Sequence, residues 1–176
     1  MKIAFLGTHG TGKTTLAHDV VVNLKKMGVD VGFASEVARK CPFPLNEEAT
    51  KKSQIWMLLS QIIMEIEEEE KCGVLVCDRS VLDYYCYYAN KFGRLPMIEG
   101  LVKEHLKTYS KLIRVPIREG FLKKDKIRSV NKKFQLDIDK QFDKLIKEFG
   151  IEDKVQTMKI GQSSDLEIVE RVVNSI

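Results

Sequence analysis

Short apolar runs alternate with stretches of helical periodicity along the whole chain. Residues 2–6, with Ile3-Ala4-Phe5-Leu6 at their centre, read as a buried strand. A helix is expected over residues 15–27, stopping near Gly28. Residues 29–34 read as a second strand. A long helix is expected from about 46 to 71, with Ile55, Leu58, Leu59, Ile62, Ile63 and Ile66 on one apolar stripe. Residues 73–77 form a continuous apolar run ending at Asp78, and read as a third strand. Helices over about 81–90 and 98–109 lead to a fourth strand at 111–116. Residues 118–129 are charged and poor in helical pattern. A helix at about 132–149, a strand at 155–160 and a helix at 165–174 follow. Strands separated by helices predict an α/β fold with a parallel sheet. With no repeat or linker, one domain over residues 1–176 is expected.

In parallel α/β sheets, ligands gather at the carboxyl ends of the strands. Four strands deliver polar groups there: the loop after residue 6, Ser35-Glu36, Asp78-Arg79-Ser80, and Arg118. The loop is Gly7-Thr8-His9-Gly10-Thr11-Gly12-Lys13-Thr14, followed by Thr15. It matches the phosphate-binding pattern G-x-x-x-x-G-K-[ST] between a strand and a helix. Glycines let backbone amides converge on a phosphate, and the helix N-terminus adds its positive dipole end. Lys13 is expected to reach the β- and γ-phosphates of ATP, and the Thr14 hydroxyl to bind Mg²⁺.

Asp78 at a strand end suits a second metal contact. The alternative for an Asp there is a helix N-cap. Arg79 suits phosphate oxygens, because guanidinium matches them bidentately. Glu36 would face the crevice, where a carboxylate can take a proton from an attacking hydroxyl. Arg39 lies three residues on and could pair with Glu36 or hold substrate. Asp83, Tyr84, Tyr85, Tyr87 and Tyr88 could wall an acceptor pocket, although most of the tyrosines fit a core role. Gln54 and Gln61 share a helix face opposite them, and either could read a base edge, Gln61 being the candidate acceptor contact. His9 reads as a spacer within the loop. Glu65 and Glu67–Glu70 read as a solvated helix end.

Charge changes the picture in one segment. Residues 1–102 carry 12 Lys+Arg against 13 Asp+Glu, residues 103–147 carry 14 against 6, and residues 148–176 carry 3 against 6. The basic middle suggests polyanion contact, which ATP already satisfies; a nucleic-acid partner is not required. Arg114, Arg118, Lys123, Lys124, Lys126 and Arg128 cluster there and suggest a lid over residues 118–129, with Arg118 and Arg128 as candidate catalytic groups. The four cysteines, Cys41, Cys72, Cys77 and Cys86, lack C-x-x-C spacing and read as reduced thiols. No apolar run approaches the ~20 residues that span a bilayer. A cytoplasmic protein without membrane contact is expected, and its long apolar-striped helix could pack internally or form a homodimer.

The strings Gly7–Thr15, Glu36-Val37-Ala38-Arg39, Asp78-Arg79-Ser80 with Asp83, and Asp125-Lys126-Ile127-Arg128-Ser129 resemble the small phosphate-loop kinase group that includes the ribosylnicotinamide kinase domain. The chain is also similar to deoxynucleoside and thymidylate kinases. The resemblance implies a three-layer α/β/α phosphate-loop fold with five parallel strands in the order 2-3-1-4-5. It implies phosphoryl transfer from ATP, with the base falling on Glu36. The Glu-Arg-Ser motif of deoxynucleoside kinases falls on Asp78, Arg79 and Ser80, with Asp in place of Glu. A nucleoside-like hydroxyl is the leading acceptor. A nucleoside monophosphate, a nucleic-acid 5′-hydroxyl, and a regulatory ATPase with no small acceptor are the competing readings. A GTPase switch is disfavoured: no D-x-x-G occurs, and Asn131-Lys132-Lys133-Phe134 lacks the Asp of N-K-x-D. Size alone disfavours an ABC-type or AAA-type motor.

Overall fold

A computed structural model of the chain describes residues 1–122, 129–158 and 165–174. Five parallel strands form one sheet: β1 (Lys2–Leu6), β2 (Val31–Ala34), β3 (Val74–Cys77), β4 (Lys111–Arg114) and β5 (Val155–Thr157). Their order is β2-β3-β1-β4-β5, as expected. Central β1 pairs Ala4 with Cys77 on one side and with Leu112 on the other. Among the described residues, six helices flank the sheet: α1 (Lys13–Lys26), α2 (Lys51–Glu69), α3 (Val81–Phe92), α4 (Pro96–Leu106), α5 (Lys132–Glu148) and α6 (Asp165–Val173).

Strand alternation sorts the core into two layers. Ile3, Phe5, Val74, Val76 and Ile113 face α1 and α6, whose Leu16, Val20, Leu24, Val169 and Val172 complete that layer. Ala4, Leu6, Leu75, Cys77 and Leu112 face the other way, against α2 to α5. Buried on both faces, β1 and β3 read as the continuous apolar runs that marked them in the sequence.

The segment expected as one helix over 46–71 is divided. A short 3₁₀ turn at Asn46–Glu48 precedes α2, which starts at the Thr50 cap. Thr50 and Ser53 exchange side-chain and backbone hydrogen bonds there, so the helix begins at that capping box. Its buried face also differs from the expected stripe. Leu58 is buried, whereas Leu59, Ile63 and Ile66 are exposed. The face turned inward is Ser53, Gln54, Met57, Leu58, Gln61 and Glu65. Polar partners inside the fold override the apolar pattern here. Strand β2 starts at Val31 rather than 29, because the backbone from Gly28 to Asp30 turns into the strand.

These faces have a measurable consequence. Leu58→Ala is expected to cost about 2–5 kcal/mol of unfolding free energy. Ile63→Ala on the same helix should stay within about 0.5 kcal/mol. Urea denaturation of the two variants checks the assignment, and equal losses would overturn it.

Candidate functional site

The phosphate loop joins β1 to α1 at the carboxyl edge of the sheet. Gly7 adopts φ of 142°, and a Cβ there would lie 2.5 Å from the Val115 carbonyl oxygen. Gly12 sits at the α1 N-cap with φ of 89°, and no side chain caps that end. The first amides of α1 therefore remain turned toward the crevice, the arrangement that receives an anion. Lys13 is buried, and its Nζ donates to the carbonyls of Gly7 at 2.7 Å and Thr8 at 2.6 Å. Burial, then repulsion from Arg79, lowers its pKa to about 7.

A hollow of about 540 Å³ lies on this loop, lined by Gly10 to Thr15 together with Glu36, Asp78, Arg79 and Phe121. Asp78 follows β3 and is nearly enclosed. Burial, then the Glu36 carboxylate, raises its pKa to about 6, opposed by a hydrogen bond from the Thr14 side chain. Thr14 and Asp78 are thus neighbours, as a metal contact pair would need. No group of three or more His, Cys, Asp or Glu among the described residues could hold a metal ion unaided. A cation here would need the oxygens of a nucleotide and water as well, which is the habit of Mg²⁺.

A second cavity of about 520 Å³ adjoins the first. His9, Glu36, Arg39, Gln54, Tyr84 and Tyr87 supply its polar lining, with Leu45 and Met57 among its apolar walls. Glu36 and Arg79 line both hollows. Arg79 Nε donates to Glu36 Oε1 at 2.7 Å, and its Nη1 to Asp83 Oδ1 at 3.3 Å. Burial opposes ionisation of Glu36, yet the Arg79 guanidinium outweighs it and holds the pKa below the ordinary carboxylate value. Arg39 pairs with the other Glu36 oxygen at 3.4 Å and is half exposed at the rim.

Among the residues lining this cavity, Gln54 Oε1 and the Tyr84 hydroxyl are buried with no hydrogen-bond partner among the described residues. Buried polar groups are nearly always satisfied, so these two mark where a polar ligand would bind. Of the two glutamines on the shared helix face, Gln54 lines the cavity. Gln61 is wholly buried instead, donating to Glu65 at 2.7 Å and to the Arg79 carbonyl at 3.1 Å. The seven-residue spacing carried both positions; burial depth separates them.

Asp83 is enclosed and works inside the scaffold. It accepts from the Gly7 amide at 3.2 Å and closes the capping box that starts α3 at Ser80. His9 lines the second cavity as well as belonging to the loop. Its amide donates to the Tyr87 hydroxyl at 3.0 Å, and its Nδ1 shares a 2.8 Å hydrogen bond with the same oxygen. Burial raises the Tyr87 pKa to about 12, which keeps that hydroxyl protonated. Arg118 stacks 3.9 Å over the ring of Phe121, beside the loop hollow. Arg128, with Lys123, Lys124 and Lys126 of the expected lid, lies outside the described residues. Arg114 does not join a lid. It is buried at the end of β4 and donates to Asp139 at 2.6 Å, because a strand position that points into the fold must pair its charge. Glu65 is no solvated helix end either; it is completely buried, for reasons taken up below.

A family model described as an AAA domain matches residues 2–157. No curated protein sequence matches the chain. Among solved structures, deoxyadenosine kinase from M. mycoides, with products dcmp and a flexible dcdp bound, superposes with a TM-score of 0.70 at 18% identity, over 100% of both chains. The same kinase with bound dATP gives 0.67 at 17% identity, over 99% of this chain and 98% of that one. The NadR protein in complex with NR gives 0.77 at 14% identity, over 98% of this chain and 50% of that one. This chain therefore spans half of NadR. At such identities the likeness is one of fold. No helix among the described residues is long and apolar enough to cross a membrane.

Lys13 provides a test of the loop. With a pKa of about 7, it is mostly neutral at pH 8 in the free protein. A bound polyphosphate would hold it protonated. Binding of a non-hydrolysable ATP analogue at about pH 8 should take up most of a proton, and affinity should fall as pH rises from about 7 to 9. Calorimetry in buffers of different ionisation enthalpy reads the uptake, which Lys13→Met should abolish. Buffer-independent heats in the unaltered protein would sink the assignment.

Proposed function

Because the chain belongs to the AAA domain family, with one phosphate loop and one adjoining cavity, we propose that it is an ATP-dependent phosphotransferase acting on a hydroxyl of a nucleoside-like small molecule. The observation that carries this reading is the Glu36–Arg79 pair, which forms the shared wall of the phosphate hollow and the second cavity. A group placed in each hollow meets the other at a carboxylate and a guanidinium. The match concerns a domain, and no assembly into a motor follows from it. The structural neighbours support the reading: one was solved with dATP, others with dcmp and dcdp or with NR.

The triphosphate would rest on the amides of Gly10 to Thr14, with Lys13 balancing its charge. Thr14 and Asp78 would hold Mg²⁺, which neutralises charge on the phosphate oxygens. The acceptor hydroxyl forms a bond to the γ-phosphorus as the bond to the ADP oxygen breaks, and Glu36 takes the hydroxyl proton. Its depressed pKa makes Glu36 a weak base, suited to a proton that leaves late, once the new P–O bond has acidified it. Arg79, with Arg118, would offset the charge that moves between the oxygens. Gln54 and Tyr84 would satisfy polar atoms of the base, and Met57 and Leu45 would cover its faces. A monophosphate acceptor fits less well. Both guanidiniums at its expected place, Arg39 and Arg79, are already paired to Glu36, whose own negative charge repels a phosphate.

The reading is tested by incubating the protein with Mg·ATP and separate pools of nucleosides, nucleoside monophosphates, ribosylnicotinamide and 5′-hydroxyl oligonucleotides, and following ADP release. A nucleoside-like pool should stimulate release. Stimulation by oligonucleotides alone, or turnover indifferent to every pool, would overturn the proposal. Glu36→Gln should lower kcat by roughly 10²–10⁴ while the ATP analogue binds as before. Full activity in that variant would remove Glu36 from the chemistry.

A further inference from the structure

On the side of the sheet away from α1, a buried polar cluster lies behind the Asp78-Arg79-Ser80 turn. Its centre is Glu65, wholly inaccessible on α2. Glu65 Oε1 accepts from Gln61 Nε2 at 2.7 Å and from the Tyr109 hydroxyl at 2.7 Å. Its Oε2 accepts from His105 Nε2 at 2.8 Å and lies 3.4 Å from Lys2 Nζ. Lys2 also pairs with Glu69 at 2.9 Å. Three donors, from α2, α4 and the segment before β4, and the Lys2 ammonium from β1 therefore converge on one carboxylate.

Two of those donors continue to the turn. Gln61 Nε2 also donates to the Arg79 carbonyl at 3.1 Å. The Tyr109 oxygen accepts the Val81 amide at 3.1 Å. Burial raises the Tyr109 pKa well above its ordinary value, so its proton stays available for Glu65. The backbone is thus gripped on both sides of Ser80, and both grips are fixed by the same oxygen of Glu65. Asp83 and Glu36 hold the Arg79 side chain, and Asp83 also accepts the Ser80 amide, while this cluster holds the Arg79 carbonyl and the Val81 amide. The inward-facing Lys2 ammonium calls for a carboxylate there, but not for the links that run from Glu65 to the turn. A buried carboxylate with its donors is costly to enclose, so the arrangement calls for a role that apolar packing does not supply.

We propose that Glu65 is a positioning residue for Arg79, acting through Gln61 and Tyr109. It sets where the guanidinium stands at the wall between the two cavities. The inference rests on the role given to Arg79 in the proposed phosphoryl transfer. Neither Gln61 nor Glu65 touches either cavity, so their effect should fall on kcat rather than on nucleotide binding.

The test combines Gln61→Met and Tyr109→Phe with Arg79→Ala. In the unaltered background each is expected to lower kcat by about 10–100-fold, with ATP-analogue affinity kept within about twofold. In the Arg79→Ala background the further loss should shrink below about twofold, because residues that act through one another are not additive. Glu65→Gln keeps an oxygen for Gln61 and Tyr109 while losing the pair with Lys2. It should retain most of kcat while melting at a lower temperature, whereas Glu65→Leu should lose both. Unchanged kcat in Gln61→Met, or an equal loss in both backgrounds, would overturn the positioning role and leave the proposed function standing. Unchanged kcat in Arg79→Ala alone would overturn the functional reading, and this inference with it. Should Tyr109→Phe fail to fold, Gln61→Met decides.

Discussion

Arg79 stands at the one place where every part of the site meets. Its side chain is mostly buried, at 12% exposed, so it needs opposite charge close by, and Glu36 and Asp83 provide it from two elements. Glu36 comes from the turn after β2, and Asp83 from the first turn of α3. Asp83 reaches further, to the amide of Gly7 at the start of the phosphate loop. One chain of charge-assisted hydrogen bonds thus links the acceptor wall, the α3 cap and the loop. Removing either carboxylate would leave a buried cation under-compensated, which is far worse than losing a surface pair.

The fold makes this meeting possible by geometry. Parallel strands bring Leu6, Ala34 and Cys77 to the same edge, and the residues following them arrive together. The register is strict because the central strands bury both faces. A shift by one residue would exchange the layer facing α1 for the layer facing α2. Lys2 illustrates the constraint. It shares a strand face with Ala4 and Leu6, so its ammonium points inward and must find Glu65 and Glu69.

Much of this was legible from residue order. The phosphate loop announced itself because its mechanism needs glycines at particular spacings and a Lys-Thr at the helix start. Strands β1 and β3 announced themselves as apolar runs because both their faces are covered. Glu36, Asp78 and Arg79 were found by their place just after strands, which is a rule of topology. Gln54 and Gln61 were placed on one helix face by periodicity, and the same periodicity could not say which was deeper. Glu65 looked like part of an exposed acidic run because its partners lie 4 to 63 residues away in sequence, three of the four on other elements.

Order along the chain by itself determined the elements, the layer architecture and the phosphate loop, since these depend on spacing and on neighbours a few residues apart. Three-dimensional packing alone decided which face of α2 turns inward, which glutamine reaches the second cavity, and that His9 lines it too. Those outcomes depend on whether a polar atom finds a partner once water is excluded. The partners come from distant segments, so only the assembled fold brings them within hydrogen-bond reach.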